Sequence, residues 1–358
     1  MNYAFAGSPT SPVFEEFARE LGVCLEERGF ERAEGAGALE ADLVVNFIDP
    51  AAPKPFRRRS RGTFVAAIHE QQAVPDDVLK VNYPLLVRAL ANIVLCFVPE
   101  KGVWFTTMER GHYGVDATDG VAELAEGVVE RLAPLALSKL VIDNEFRTDL
   151  EEELWEGDEV TDEIAEAGKR MGDLDLLPAP FPIEELLDEQ DLRHVKRLYG
   201  IGGLSYGNLS QRKDETRFWM SASGVDKTKL DIPGRDILLV SGYAPERNTM
   251  IMSVPPNVEP RRVSVDAIEH WMIYRAHPDV GAILHVHAWM QDIPATDVNY
   301  PCGTEELATS VAQLLDAEPD PAHAAIGLRN HGITVTGESL TEILDRIEPK
   351  VLRQIPMS

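Results

Sequence analysis

The stretch GAILHVHAWM, residues 281–290, decides how this chain is read. Three apolar residues, Ala282, Ile283 and Leu284, run into two histidines one residue apart, His285 and His287. Side chains alternate faces along a strand with a period of two. A strand here therefore points His285 and His287 the same way and turns Val286 into packing. Two imidazoles on one face of a strand end can share an ion, because nitrogen ligands at about 2.0–2.1 Å suit zinc and related divalent metals.

A third histidine lies in AAIGLRNHGITVTG. His331 follows an apolar strand and stands between Asn330 and Gly332, and the strand resumes at once. Gly332 permits an unusual backbone angle or a close approach, and a histidine in such a turn is not needed for packing. Upstream, VSVDAIEHWMIYRAHPDV reads as a mostly buried helix through Ile268, Met272 and Ile273. Asp266 falls in its first turn, where the helix dipole favours a carboxylate; on that ground alone Ser264 or Asp266 could be simple caps. His270, on the helix, and His277, before a Pro-Asp turn, read as structural.

The surrounding chain has 358 residues, enough for one or two domains with a sizeable core. Its formal net charge of −26 repels nucleic acid and anionic membrane surfaces. Cys24, Cys96 and Cys302 are far apart and unpaired in pattern, which fits a reducing cytoplasm rather than a disulfide framework. The first residues show no basic n-region with a long apolar core, and no run of about 18 apolar residues occurs. The expectation is a cytoplasmic protein without a transmembrane span.

Residues 1–140 alternate strands and helices: NYAFAG, a helix from Val13, the strands ADLVVNFIDP and GTFVAAIHE, a helix-strand-turn-strand unit from Tyr83, and the helix GVAELAEGVVERLAPLAL. This predicts an open, Rossmann-like α/β domain of unknown role. Its loop AGSPTSP could hold phosphate at a helix N-terminus. The G-x-G-x-x-G fingerprint is absent, however, and Ser11 as cap with Pro12 in the first helical position is the structural alternative. Residues 141–184 are strongly acidic and end in PAPFP; they read as a helical linker with a solvated face. The second domain is expected over 185–358.

From about Leu198 to Leu344 the chain resembles the class II aldolase/adducin family. The resemblance rests on five motifs in order: GGLSYGNLSQR, WMSASGVDKTKLDIPGRDILLV, HWMIYRAHPDVGAILHVHA, CGTEELATSVAQLL and LRNHGITVTGESLTEIL. It implies an α/β/α domain around a mainly antiparallel sheet. It also implies a divalent metal held by His285, His287 and His331, commonly zinc, with manganese, iron or cobalt as alternatives. The family's acidic metal ligand or acid/base catalyst, usually glutamate, matches Asp266, one methylene shorter; Glu269, a helical turn on, is the second candidate for the base.

Phosphate-holding positions of the family match Gly207, Asn208, Ser223, Gly224 and Ser264. Backbone N–H groups and hydroxyls in such a loop can converge on an anion without a cation. Arg261 and Arg262 stand just before Ser264; either could bind a carboxylate or phosphate bidentately, or lie in a local surface ion pair. The resemblance therefore implies an enzyme, a metal-dependent lyase of aldolase or decarboxylase type. It would act through a metal-stabilised enolate on a small, anionic hydroxy-carbonyl substrate. A sugar-phosphate epimerase or dehydratase on the same site is the alternative enzyme, and a metal-free adducin-like scaffold the non-catalytic one. A cyclic homo-oligomer, tetramer or dimer, is also implied.

Overall fold

The computed structural model describes residues 1–60, 62–108, 111–118, 120–178, 183–199 and 206–358. The chain divides into two compact units, one made of Met1–Leu137, Phe181–Tyr199 and Met357–Ser358, the other of Ser138–Pro180 and Gly200–Pro356. No helix among the described residues is long and apolar enough to cross a membrane.

In the first unit, β1 (Asn2–Ala6) leads through α1 (Pro12–Glu27) to the short β2 (Glu31–Arg32). Strands β3 (Leu43–Phe47) and β4 (Phe64–Glu70) follow, then α2 (Val78–Arg88), β5 (Ile93–Val98), β6 (Gly102–Thr107), β7 (Gly111–Asp116) and α3 (Val121–Leu137). They form one sheet in the order β2-β1-β3-β4-β5-β6-β7. Strands β1 to β5 pair in parallel; β6 and β7 are antiparallel additions. Helices α1 and α3 cover one face, where Phe14, Phe17, Leu21, Leu124 and Val128 meet Val45, Ile68 and Leu95. His69, one residue beyond Ile68, points to the other face and bonds Asn82 of α2 at 2.8 Å.

The expected open α/β sheet is thus present, but the Rossmann-like label is not confirmed. The sheet order runs 2-1-3-4-5, not the 3-2-1-4-5-6 of dinucleotide-binding sheets. The described residues of the connection from β3 to β4 carry no α-helix. In the loop after β1, Ser11 Oγ accepts the Phe14 N–H at 3.2 Å and donates to Glu70 at 2.7 Å, and Thr10 donates to the same carboxylate at 3.0 Å. A carboxylate bonded to both hydroxyls opposes a phosphate there, so Ser11 acts as the cap.

The second unit begins with β8 (Asp143–Arg147) and α4 (Glu159–Asp173). Between it and the rest lie α5 (Ile183–Leu186) and α6 (Glu189–Tyr199), which belong to the first unit. It continues through β9 (Asn208–Arg212), β10 (Phe218–Ser221), β11 (Ile237–Ala244), β12 (Thr249–Ser253), α7 (Ala267–Ala276) and β13 (Ala282–Val286). It ends with α8 (Glu305–Asp316), β14 (Ala325–Leu328), β15 (Gly332–Gly337) and α9 (Leu340–Ile347). The sheet order is β14-β15-β13-β9-β10-β11-β12-β8, antiparallel except for the parallel β12–β8 edge. Period two splits the helices between its faces. Ser210 of β9 contacts His270 and Tyr274 of α7 at 2.7 and 2.9 Å. Gln211, pointing oppositely, donates to Glu163 of α4 at 2.6 Å and accepts the Leu340 N–H of α9 at 3.1 Å. The domain is α/β/α, with a mainly antiparallel centre as expected.

The boundaries differ from those read in the sequence. Residues 141–184 are not a linker: β8 extends the second sheet, and α4 buries Ile164, Ala167 and Met171 in that unit's core. An apolar face at positions 160, 164, 167 and 171 outweighs the acidic composition. Nor does the second unit start at 185, since Arg88 of α2 bonds Asp191 at 2.8 Å and Asp188 at 3.1 Å and holds this segment to the first unit. Residues 179–182, most of the proline-rich break, lie outside the described residues, as do residues 202–205 of the GGLSYGNLSQR motif.

Candidate metal centre

His285 lies on β13 between two hydrogen-bonded neighbours, with Asn208 of β9 opposite on one side and Thr334 of β15 on the other. Residues opposite one another in an antiparallel pair share a face. Asn208, His285 and Thr334 therefore form a row across three strands, under α7. Asn208 Nδ2 donates to Asp266 at 2.7 Å and Thr334 Oγ1 donates to Glu269 at 2.6 Å. The helix start is thus pinned to the row that carries the histidine.

His287 follows the end of β13, and His331 occupies the turn between β14 and β15. All three imidazoles are buried, at 1, 6 and 2% exposure for His285, His287 and His331. Their ring centroids lie 4.7–5.2 Å apart, and one nitrogen from each falls within 4.8 Å of the others. His331 Nε2 is 3.1 Å from His287 Nε2. His285 Nδ1 lies 3.0 Å from the Ile333 carbonyl, which fixes this nitrogen as the donor and makes Nε2 the acceptor-type nitrogen. Three imidazoles in this spacing are a donor set that fits a divalent ion.

Close backbone approach makes the convergence possible. Gly207 has φ +76°, and a Cβ there would sit 2.5 Å from the His285 carbonyl oxygen. A Cβ on Gly332 would sit 2.3 Å from the Val286 carbonyl oxygen. Asn330 takes a left-handed φ of 58° to turn His331 inward.

Asp266 occupies the N-cap position of α7 but makes no side-chain capping bond, so capping does not account for it. It is 6% exposed, and its Oδ1 has no hydrogen-bond partner among the described residues. Glu269 is equally enclosed, with Oε2 unpartnered. Burial, reinforced by the nearby Asp266 charge, pushes the Glu269 carboxyl up to about 8. His270 bonds Ser210 beneath the same helix, and burial holds it down to about 3, a neutral structural residue as expected. His277 pairs with Asp316 at 3.3 Å, away from the cluster.

The anion-binding candidates form a second group. The Ser223 N–H donates to the Arg262 carbonyl at 2.8 Å, and the Ser264 N–H reaches Ser221 at 3.3 Å. The Ser223-Gly224 turn thus lies along the segment that leads into Asp266. Ser264 is buried, whereas Ser223, Gly224 and Arg262 are exposed. Arg261 leans toward Asp236 at 3.8 Å, in the surface-pair role.

Three further residues join the site without a signal in the sequence. Lys227 is 3% exposed; burial pushes its ammonium down to about 8, against the opposing pull of Asp266. The Tyr206 ring stands 5.2 Å from that of His287. Cys302 Sγ lies 3.4 Å from His331 Nε2.

Residues 193–291 match the family described as the Class II Aldolase and Adducin N-terminal domain. The chain is 24% identical over 175 residues to a methylthioribulose-1-phosphate dehydratase of Klebsiella pneumoniae (strain 342), covering 40% of this chain and 79% of that protein. Among solved structures it is similar to an L-fuculose 1-phosphate aldolase, at 19% identity and a TM-score of 0.37, over 54% of this chain and 81% of the other. It is also similar to the N-terminal class II aldolase domain of a conserved protein from Thermoplasma acidophilum, at 16% identity and a TM-score of 0.34, over 56% and 94%. The family match bears out the resemblance over the first three of the five motifs, residues 202–288.

Proposed function

We propose that the second unit is a metal-dependent lyase acting on a small, anionic hydroxy-carbonyl compound. The observation that carries this reading is the buried convergence of His285, His287 and His331 beside the carboxyls of Asp266 and Glu269. When bound there, a divalent ion, zinc first among the candidates, would supply Lewis-acid stabilisation of negative charge developing on the substrate's oxygens.

The chain's own groups divide the remaining work. Asp266 keeps Oδ1 unbonded while Asn208 holds Oδ2, so one oxygen is positioned and the other is available to take a proton. Glu269, held protonated at neutral pH, places a neutral carboxyl beside that base and keeps the site from accumulating two negative charges. Lys227 supplies a buried positive charge facing Asp266. The Gly224 N–H, the hydroxyls of Ser223 and Ser264, and the Arg262 guanidinium would offer donors to an anionic end of the substrate. Burial of Asp266, Glu269 and Lys227 excludes water and strengthens the interactions among them.

Loss of water is the second reading, favoured by the dehydratase among the chain's relatives. Carbon–carbon cleavage, begun by removal of the β-hydroxyl proton, and water loss, begun by removal of the α-carbon proton, both pass through an enolate, so one site could serve either. The test is a nuclear magnetic resonance screen of phosphorylated and carboxylated hydroxy-ketones with metal-loaded protein. Asp266→Asn should keep its metal and lose about 10²–10⁴-fold in turnover of whichever compound reacts. Undiminished turnover in that variant would remove Asp266 from the mechanism.

A further inference from the structure

A concavity of about 570 Å³ opens on the second unit beside the segment that leads into Ser264. That size lies within the range of about 300–1,000 Å³ usual for small-molecule sites. Ile232, Val258 and Pro260 give it an apolar wall. Arg235, Arg261, Asn257 and Glu259 bring polar groups to it. None of these residues belongs to the histidine and carboxyl cluster of the metal centre.

One buried carboxylate anchors both guanidinium groups. Asp236 is 3% exposed and accepts the Ile232 N–H at 3.2 Å. Arg235 donates to it bidentately, through Nε at 3.0 Å and Nη2 at 2.8 Å, and Arg261 Nη1 stands 3.8 Å away. Arg235 thus keeps the N–H bonds of Nη1. The Arg261 guanidinium and the Asn257 amide form no hydrogen bond among the described residues. The backbone beneath is set by its own bonds. Gly234 has φ +79°, and its N–H donates to the Ile237 carbonyl at 2.7 Å, as the Asp236 N–H does to the Ile232 carbonyl at 2.7 Å.

Two guanidiniums on one carboxylate leave a net positive charge, in a chain whose net charge is −26. Their side chains are 39 and 49% exposed for Arg235 and Arg261, so their remaining N–H groups are open to a ligand. Guanidinium N–H groups match the oxygens of a phosphate. Glu259 repels a bare anion but accepts from hydroxyls, and the Asn257 amide can bond hydroxyls as well. The apolar wall suits a short carbon chain. We propose that Arg235 and Arg261 form a further anion site, a pocket for the phosphate monoester of a small polyhydroxy compound, with Glu259 and Asn257 on its hydroxyls. The site goes beyond the metal reading above and does not depend on it.

Isothermal titration calorimetry of the full-length protein with glycerol 3-phosphate tests the pocket, beside Arg261→Ala and the His285→Ala/His287→Ala double variant. Arg261→Ala leaves the Arg235–Asp236 pair intact, so the fold keeps its anchor there. The expected result is saturable binding in the parent that persists in the double histidine variant and weakens about 10-fold in Arg261→Ala. Chelator-treated parent replaces the double variant should that fold poorly. Binding lost with the histidines would assign the ligand to the metal centre and overturn the separate pocket. No saturable binding in the parent, or equal binding in Arg261→Ala, overturns it as well. Glu259→Gln should tighten inorganic phosphate and loosen glycerol 3-phosphate relative to it. An unchanged ratio between the two removes Glu259 from the hydroxyls and overturns the preference for an ester.

Discussion

Asp266 and Glu269 sit one helical turn apart at the start of α7, and their surroundings push them to different tasks. Asp266 receives Asn208 and faces Lys227, while Glu269 receives only the Thr334 hydroxyl in a fully buried position. A carboxyl whose proton is held up to about 8 in the fold, against an ordinary 4.5, binds its proton more tightly folded than unfolded. Its contribution to stability is therefore complete below pH 4.5 and is lost as pH rises toward about 8. Glu269→Gln keeps an acceptor for Thr334 and abolishes the titration. In chelator-treated protein, the melting temperature of the variant should fall less steeply than the parent's across that window. Parallel profiles for the two proteins would show that Glu269 does not hold its proton.

At the same scale, the sequence reveals the histidines better than what surrounds them. His285 and His287 are legible because period two needs no tertiary knowledge, and His331 because Asn330 and Gly332 announce a turn. Asp266 stands out by its place before α7, yet its bond to Asn208 joins residues 58 apart in the chain. Lys227 gives no sign of itself: lysine is among the residues least often buried, and only the fold encloses it. Cys302 meets His331 because two loops converge, and neither loop's composition records the other.

At the scale of elements, the site depends on backbone packing against backbone. Gly332 abuts Val286 between β15 and β13, and Gly207 abuts the carbonyl of His285 itself. Neither neighbour is a flexible side chain that can move aside. Gly332→Ala and Gly207→Ala should each cost about 1–3 kcal/mol of stability in chemical denaturation. Both should also weaken metal retention more than a glycine-to-alanine change at the exposed Gly29, where a Cβ meets nothing within 4 Å. Parent-like midpoints for both variants would mean that the close approaches relax at little cost. Strand and helix types were readable from periodicity for α1, α3, β13 and β15. The acidic stretch 141–184 reads as helix, but its composition hides the buried face of α4 formed by Val160, Ile164, Ala167 and Met171.

Across the whole molecule, the chain builds two separate apolar cores, one around Phe14, Phe17 and Phe97 and the other around Trp219, Leu284 and Val335. The second core includes residues from 141 to 177, well before the motifs that resemble a known family. A fragment of residues 138–358 should retain a cooperative thermal transition by circular dichroism. A fragment of residues 185–358 lacks β8 and α4, exposes the core that Ile164 and Met171 cover, and should lose that transition. Equal transitions in both fragments would place α4 outside the folding unit. The alternating strands and helices of the first unit were legible in sequence, but the order of its strands was not, because order depends on which connection crosses which face.

The central claim is that His285, His287 and His331 hold a divalent metal, and elemental mass spectrometry of protein purified without chelator or histidine tag tests it most directly. The account predicts about one ion of zinc, or of cobalt, iron or manganese, per chain in the parent. It predicts loss of that ion in His285→Ala/His287→Ala, with the fold of both proteins checked by circular dichroism. A parent that carries no metal, and takes up none on reconstitution, would contradict the account and leave the three histidines as packed residues of a scaffold.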